Sequence, residues 1–182
     1  SDPADATESI SALGDRVVVK LADVAHRTEH DAVRVGLAPV DVPAAIAELR
    51  AIAERDCLPS TIAIQTMVAG HGEAFAGLQG RTSLGAVTLM GVGGVLVEVM
   101  RQVAGRFLPV SAADANRLAG EIADLVGNLR GQRPWPRPAL AEVVRGIDRL
   151  WREHSEWLSS IDLNPIIVTA DGAVIVDALL LG

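Results

Sequence analysis

The chain of 182 residues has one cysteine, no tyrosine, five other aromatic residues and a single lysine set against fifteen arginines. A lone Cys57 excludes an internal disulfide and suits a reducing cytosol, so a cytoplasmic location is expected. No basic block offsets the formal net charge of −7. A nucleic-acid groove or an anionic membrane surface is therefore not the expected partner. Long apolar runs are missing too. The longest, over residues 84–97, is interrupted by glycines and followed by Glu98, and it is too short to span a bilayer. The opening Ser1-Asp2-Pro3-Ala4-Asp5 is acidic and has no apolar core, which does not fit a signal peptide.

What is present fits a globular protein: 49% of residues are hydrophobic, and the length suits one domain or two small lobes. The single lysine, Lys20, closes the run Arg16-Val17-Val18-Val19-Lys20. A mobile ammonium reaches between phosphate oxygens in a way the planar arginine fork does not. Coding bias toward arginine that spared one surface lysine is the alternative.

Periodicity predicts a short helix over 3–13 ended by Gly14, and strands over 17–21, 32–37 with Arg34 projecting, 61–68, 73–78, 84–90 and 95–103. Asp41 is placed to cap a helix reaching Arg55, with Pro43 in its first turn and Ile46, Leu49 and Ile52 on one stripe. Ser111 is placed to cap a helix to about Leu129. Pro134-Trp135-Pro136-Arg137-Pro138 reads as a stiff connector before a helix over 140–158. Trp135, Trp151 and Trp157 are expected to anchor helix packing. Strands mixed with segregated helices give an α+β class.

The last strand pair carries the most chemistry. If Asp171-Gly172 forms a two-residue hairpin turn, Ile166 pairs with Asp177, and Asp162, Asn164 and Asp177 share one face. Asn164 and Asp177 are then diagonal neighbours about 7–8 Å apart at the backbone, able to converge on a hard cation such as magnesium. A three-residue loop would throw Asp177 to the other face. The plain alternative is an ordinary hairpin with a polar solvent side.

Four stretches keep the order and approximate spacing of a known family. They are Lys20; His26-Arg27-Thr28-Glu29 with Val33-Arg34-Val35-Gly36-Leu37; Met90-Gly91-Val92-Gly93-Gly94-Val95-Leu96-Val97-Glu98-Val99; and Asp162-Leu163-Asn164-Pro165. Together they resemble the ATP-grasp domain of ADP-forming acyl-CoA synthetases, acid-thiol ligases whose relatives include the β subunit of succinyl-CoA synthetase. The resemblance implies an α+β ATP-grasp fold of two lobes with mixed or antiparallel sheets, residues 1–68 and 69–182, lacking the family's leading segment. It implies a nucleotide clamped between the lobes, with ATP and magnesium as cofactors. The partner implied is a CoA-ligase domain, in cis or in trans, that carries the phosphohistidine, so the chain alone would not complete the ligase reaction. Lys20 matches the lysine that contacts the ATP phosphates, and Asn164 and Asp177 match the magnesium ligands. Asp162 matches an acidic residue facing the incoming phosphohistidine, and His26 a loop histidine proposed to relay phosphate. Arg34, Gln65, Met67 and Glu73, within or beside these motifs, are the further expected nucleotide-binding residues.

The chain departs from the family pattern at several places. Asp31-Ala32 stands where the family has a glycine pair, so a carboxylate replaces close backbone approach and is expected to repel a triphosphate. Gln65-Thr66-Met67 lacks the family's acidic residue at the nucleotide hinge. These changes support an alternative: a degenerate, non-catalytic ATP-grasp module with a regulatory or scaffolding role, for example beside an acyltransferase domain. His71 reads as a turn residue, and Gly91-Val92-Gly93-Gly94 as a tight turn near the ligand rather than a dinucleotide fingerprint.

Overall fold

A run of three valines, closed by Lys20 and Leu21, makes β1, Val17–Leu21, the centre of a three-stranded antiparallel sheet. A computed structural model describes residues 9–24, 30–94, 102–129 and 131–182. The chain divides into two compact units, Ser1–Met67 and Val68–Gly182. In the first, β1 lies between β2 (Val33–Leu37) and β3 (Ile62–Thr66). Val17, Val19 and Leu21 point to one side and are fully buried against Leu49, Ile52 and Ala53 of helix α1, Val42–Arg55. Each such aliphatic side chain removed from water contributes roughly 1.5–3 kcal/mol. Asp41 occupies the N-cap position of α1 but makes no side-chain cap bond, because a 3-10 turn over Pro39–Asp41 already gives it helical angles. Residues 9–11 are helical and Gly14, at φ +117°, follows them; residues 3–8 of the expected helix lie outside the described residues.

The second unit is a six-stranded antiparallel sheet in the order β6-β5-β4-β7-β8, with β9 also on β7. Its strands are β4 Gly72–Gln79, β5 Val87–Val92, β6 Val103–Phe107, β7 Ser160–Val168, β8 Ala173–Ile175 and β9 Ala178–Leu181. Helices α2 (Ala112–Gly127) and α3 (Arg137–His154) bury their apolar stripes in the same core as Ala74, Ala76, Met90 and Ile161. Ser111 caps α2 in a reciprocal box with Asp114. The opposite sheet face carries Glu73, Phe75, Gly77, Leu89, Asp162 and Asn164, as the alternation of buried positions requires.

The structure departs from the expected elements at three places. The strand expected over 95–103 falls almost entirely outside the described residues, and the strand observed beside β5 is Val103–Phe107. Helix α3 starts inside the proline-rich segment, at Arg137, because Pro138 fits a first helical turn whose amide has no intrahelical acceptor, and it ends at His154. Trp135 is 4% exposed and belongs to the core, but Trp157 is 49% exposed and lies tilted against the His154 ring.

The closing hairpin also turns one residue earlier than expected. The reversal centres on Ala170-Asp171: the Thr169 amide donates to the Gly172 carbonyl at 2.9 Å, and Val168 pairs with Ala173. Neither Asp171 nor Gly172 has positive φ, so the type I′ geometry that favours Asp-Gly is not used. Partners therefore shift by two residues, and Ile166 pairs with Ile175. A shift of two keeps every side chain on its expected face.

Candidate functional site

Strand β7 of the second unit, with the residues joining β8 to β9, carries the oxygen donors. Leu163 pairs with Ala178 and Ile166 with Ile175, the same register on either side of the short break at Val176-Asp177, and that register sets Asn164 opposite Asp177. The Val176 amide donates to the Pro165 carbonyl at 3.3 Å within the same stretch. Directly opposed residues have Cβ atoms about 4.5–5.5 Å apart, closer than the expected diagonal. On the other side of β7 the ladder to β4 slips: Ala74 faces Ile166 while Ala76 faces Leu163, so Asn164 and Pro165 both oppose Phe75. This bulge suits proline, which has no amide for the ladder. It also reverses the alternation, letting Leu163 and Ile166 both be buried while Asp162 and Asn164 stay exposed.

Glu73 is framed from the next strands. Its carbonyl accepts from the Gly93 amide at 2.6 Å. A Cβ on Gly94, whose φ is +61°, would lie 3.0 Å from the Glu73 carboxylate, and one on Gly91 would lie 2.5 Å from the Phe75 ring. The glycine run is thus a turn closed over Glu73, with Phe75 lying across Gly91. Beside them Leu89, Val103 and Phe107 are exposed, which gives the face an apolar side next to its acidic one.

In the first unit, Lys20 pairs with Val33 on one side and Ala63 on the other, and Gln65 pairs with Val18, so Lys20 and Gln65 share the sheet face away from α1. Arg34 pairs with Val19 and lies on the α1 face. Its Nε donates to Glu48 at 3.1 Å, and its Nη1 and Nη2 donate to the Asp31 carboxylate at 3.0 and 3.2 Å. Burial opposes the Arg34 charge, but hydrogen bonds to Glu48 and Asp31 outweigh it and hold its pKa above the ordinary arginine value. Thr66, in the expected hinge, donates its hydroxyl to the Leu13 carbonyl at 2.8 Å. Met67 is 37% exposed.

The structure therefore groups Asp162, Asn164, Asp177 and Glu73 in the second unit and Lys20 with Gln65 in the first. Arg34 stands apart from Lys20, and His26 and Glu98 lie outside the described residues. Glu48 and Phe75 had no local signal: Glu48 meets Arg34 across fourteen positions, and Phe75 is marked only by alternating with Glu73. His71 lies in a bend at the start of β4, its amide donating across to the Val168 carbonyl of β7 at 2.9 Å. Among the described residues no group of three or more His, Cys, Asp or Glu side chains could hold a metal. A carboxylate and an amide oxygen in facing register still fit magnesium, which takes few protein oxygens where phosphates supply others.

Open α+β sheets flanked by helices on one face, with such a hairpin, define the class to which this chain belongs: it is a member of the ATP-grasp domain family, whose model matches residues 1–181. Within that family it is similar to ADP-forming acetate–CoA ligases. It is 28% identical to acetate–CoA ligase I of Archaeoglobus fulgidus over 180 residues, which cover 95% of this chain and 26% of that enzyme. It is 32% identical over 108 residues to the β subunit of acetate–CoA ligase I from Pyrococcus furiosus, covering 58% of this chain and 46% of that subunit. The chain thus spans about a quarter of the first enzyme and about half of the second polypeptide. Among solved structures it resembles acetyl-coenzyme A synthetase 1 of Candidatus Korarchaeum cryptofilum in complex with coenzyme A and Ca-AMPCP, with a TM-score of 0.85 and 27% identity, covering 98% of this chain and 81% of that one. The same protein with Mg-AMPPCP, its phosphohistidine segment pointing towards the nucleotide-binding site, gives a TM-score of 0.76 at 28% identity, covering 98% of this chain and 81% of that one.

Proposed function

We propose that this chain is the nucleotide-binding part of an ADP-forming acyl-CoA synthetase, binding magnesium-ATP and exchanging a phosphoryl group with a histidine on a separate CoA-ligase domain. The observation that carries this reading is Asn164 opposed to Asp177 on the open face of β7, in a chain of the ATP-grasp family. Phosphoryl transfer depends on positioning and charge neutralisation more than on covalent help from the protein. Lys20 supplies one mobile positive charge to the phosphates, and Gln65, on the same face, and Met67 beside it take part in holding the nucleotide. Asn164 and Asp177 are the residues that would hold magnesium, which when bound neutralises charge on the phosphate oxygens. Asp162 would accept the N–H of a visiting imidazole, fixing its tautomer and raising the basicity of the attacking nitrogen. Glu73, held by the glycine turn, orients groups on the same face. The matched Pyrococcus polypeptide is a β subunit, which supports a larger assembly with a CoA-ligase partner.

Calorimetric titration of the intact chain with magnesium-ATP tests this. Binding that falls at least about tenfold, some 1.4 kcal/mol, in Lys20→Ala and in Asn164→Ala is expected. A second reading, a non-catalytic regulatory module, draws on the ion pairs that occupy Arg34 and on Thr66 at the hinge. Absence of binding by folded protein at millimolar nucleotide would select it.

A further inference from the structure

Arg34 has its polar atoms committed within the chain. Nε meets Glu48, Nη2 meets one Asp31 carboxylate oxygen, and Nη1 meets the other together with the Asp31 and Val33 carbonyls at 2.8 and 3.1 Å. Asp31 has φ of 54°, a left-handed conformation that glycine takes freely and other L-residues resist, although aspartate resists less than most. The turn it occupies leads straight to the Lys20 end of β1: the Leu21 amide donates to the Ala32 carbonyl at 3.0 Å, and Lys20 pairs with Val33.

We infer that Arg34 is a positioning residue and not a phosphate contact: together with Asp31 it clamps the turn at residues 30–33, and through it the strand end that carries Lys20. A guanidinium taking both oxygens of one carboxylate fixes orientation as well as distance. Glu48 ties the same guanidinium to α1, so the strained residue is held to a helix that is itself packed in the core. The clamp also answers the expectation that Asp31 repels phosphate, since its charge is turned toward Arg34. What a glycine would give by lacking a side chain, Asp31 and Arg34 give by having two.

The inference rests on the nucleotide-binding reading for its consequence and on the turn itself for its geometry, and two readouts separate them. The first is hydrogen exchange at the Leu21 amide, normalised to the slow amides of α1. Arg34→Ala is expected to raise it about fivefold, within the range of a partly exposed ion pair. Asp31→Ala, which keeps the strain and loses the clamp, should raise it about tenfold. Asp31→Gly should stay within about twofold of the parent, because glycine needs no clamp. Adding Arg34→Ala to Asp31→Gly should then change little. The second readout, magnesium-ATP affinity, should follow the same order. A loss of affinity on Arg34→Ala that is equally large with and without Asp31→Gly would overturn the proposal in favour of direct phosphate contact. If the parent chain binds no magnesium-ATP, the functional reading falls. The clamp is then decided by exchange alone, and equal effects of Arg34→Ala in both backgrounds would refute it.

Discussion

Two turns in this molecule meet the same backbone demand in opposite ways. Beside Glu73 the second unit uses glycines, with Gly94 at φ +61° and Gly91 leaving room for the Phe75 ring. Near Lys20 the first unit places Asp31 at φ 54° and secures it with Arg34 and Glu48. One turn depends on absent side chains, the other on present ones. The two should therefore respond differently to added methyl groups and to lost charges.

Gly91→Ala should have the largest effect, since the new Cβ would stand 2.5 Å from Phe75 and 2.9 Å from the Gln102 carbonyl. The Phe75 ring can swing aside but the Gln102 carbonyl is backbone and cannot, and a loss of about 2–3 kcal/mol is expected in denaturant unfolding. A fully tolerated methyl there would end the claim that the second unit needs the empty space. Next is Asp148, 3% exposed, which accepts the Val110 amide at 3.1 Å and pairs with Arg152. Asp148→Ala leaves a buried donor without an acceptor and should cost about 2 kcal/mol in the same assay. That exceeds the effect of Asp31→Ala, because the Asp31 side chain is 75% exposed and water replaces part of what is lost.

Gly127→Ala sharpens the contrast from the other direction. Nothing lies within 4 Å of its Cβ position at the end of α2. The same substitution should here raise stability by about 0.4–1 kcal/mol, read as a higher midpoint. The smallest effect concerns the α2 cap. The hydrogen bond from Ser111, followed by that from Arg117, holds the Asp114 carboxyl below its ordinary pKa. Its contribution is therefore present above the unfolded carboxylate pKa of about 3.9 and is lost as pH falls through the lower folded value. Urea unfolding from pH 6 to pH 2 should show a shallower acid slope for Asp114→Asn; an unchanged slope would mean the cap does not titrate.

The parts of the fold legible in the sequence were those with unambiguous local chemistry. The apolar run placed β1 over Val17–Leu21, and Ser111 marked the start of α2. Tertiary context decided what local signals could not. Arg137 and Pro138 open a helix because the missing proline amide costs nothing in a first turn, and Trp135 before them is drawn into the core. At the last hairpin the Asp-Gly signal named the right loop, but pairing shifted by two residues with Ile166 and Val168 buried. The shared face of Asn164 and Asp177 was legible from parity, whereas their opposition required the register. The Arg34 partners were not legible, because an ion pair between residues fourteen apart leaves no periodic trace.

The most direct test of the nucleotide-binding reading is amide exchange across the whole intact chain with and without saturating magnesium-ATP. It predicts slowed exchange in both units, at the Lys20 end of β1 and around Asn164 on β7. Protection confined to one unit, or none in a chain that remains folded, would contradict it.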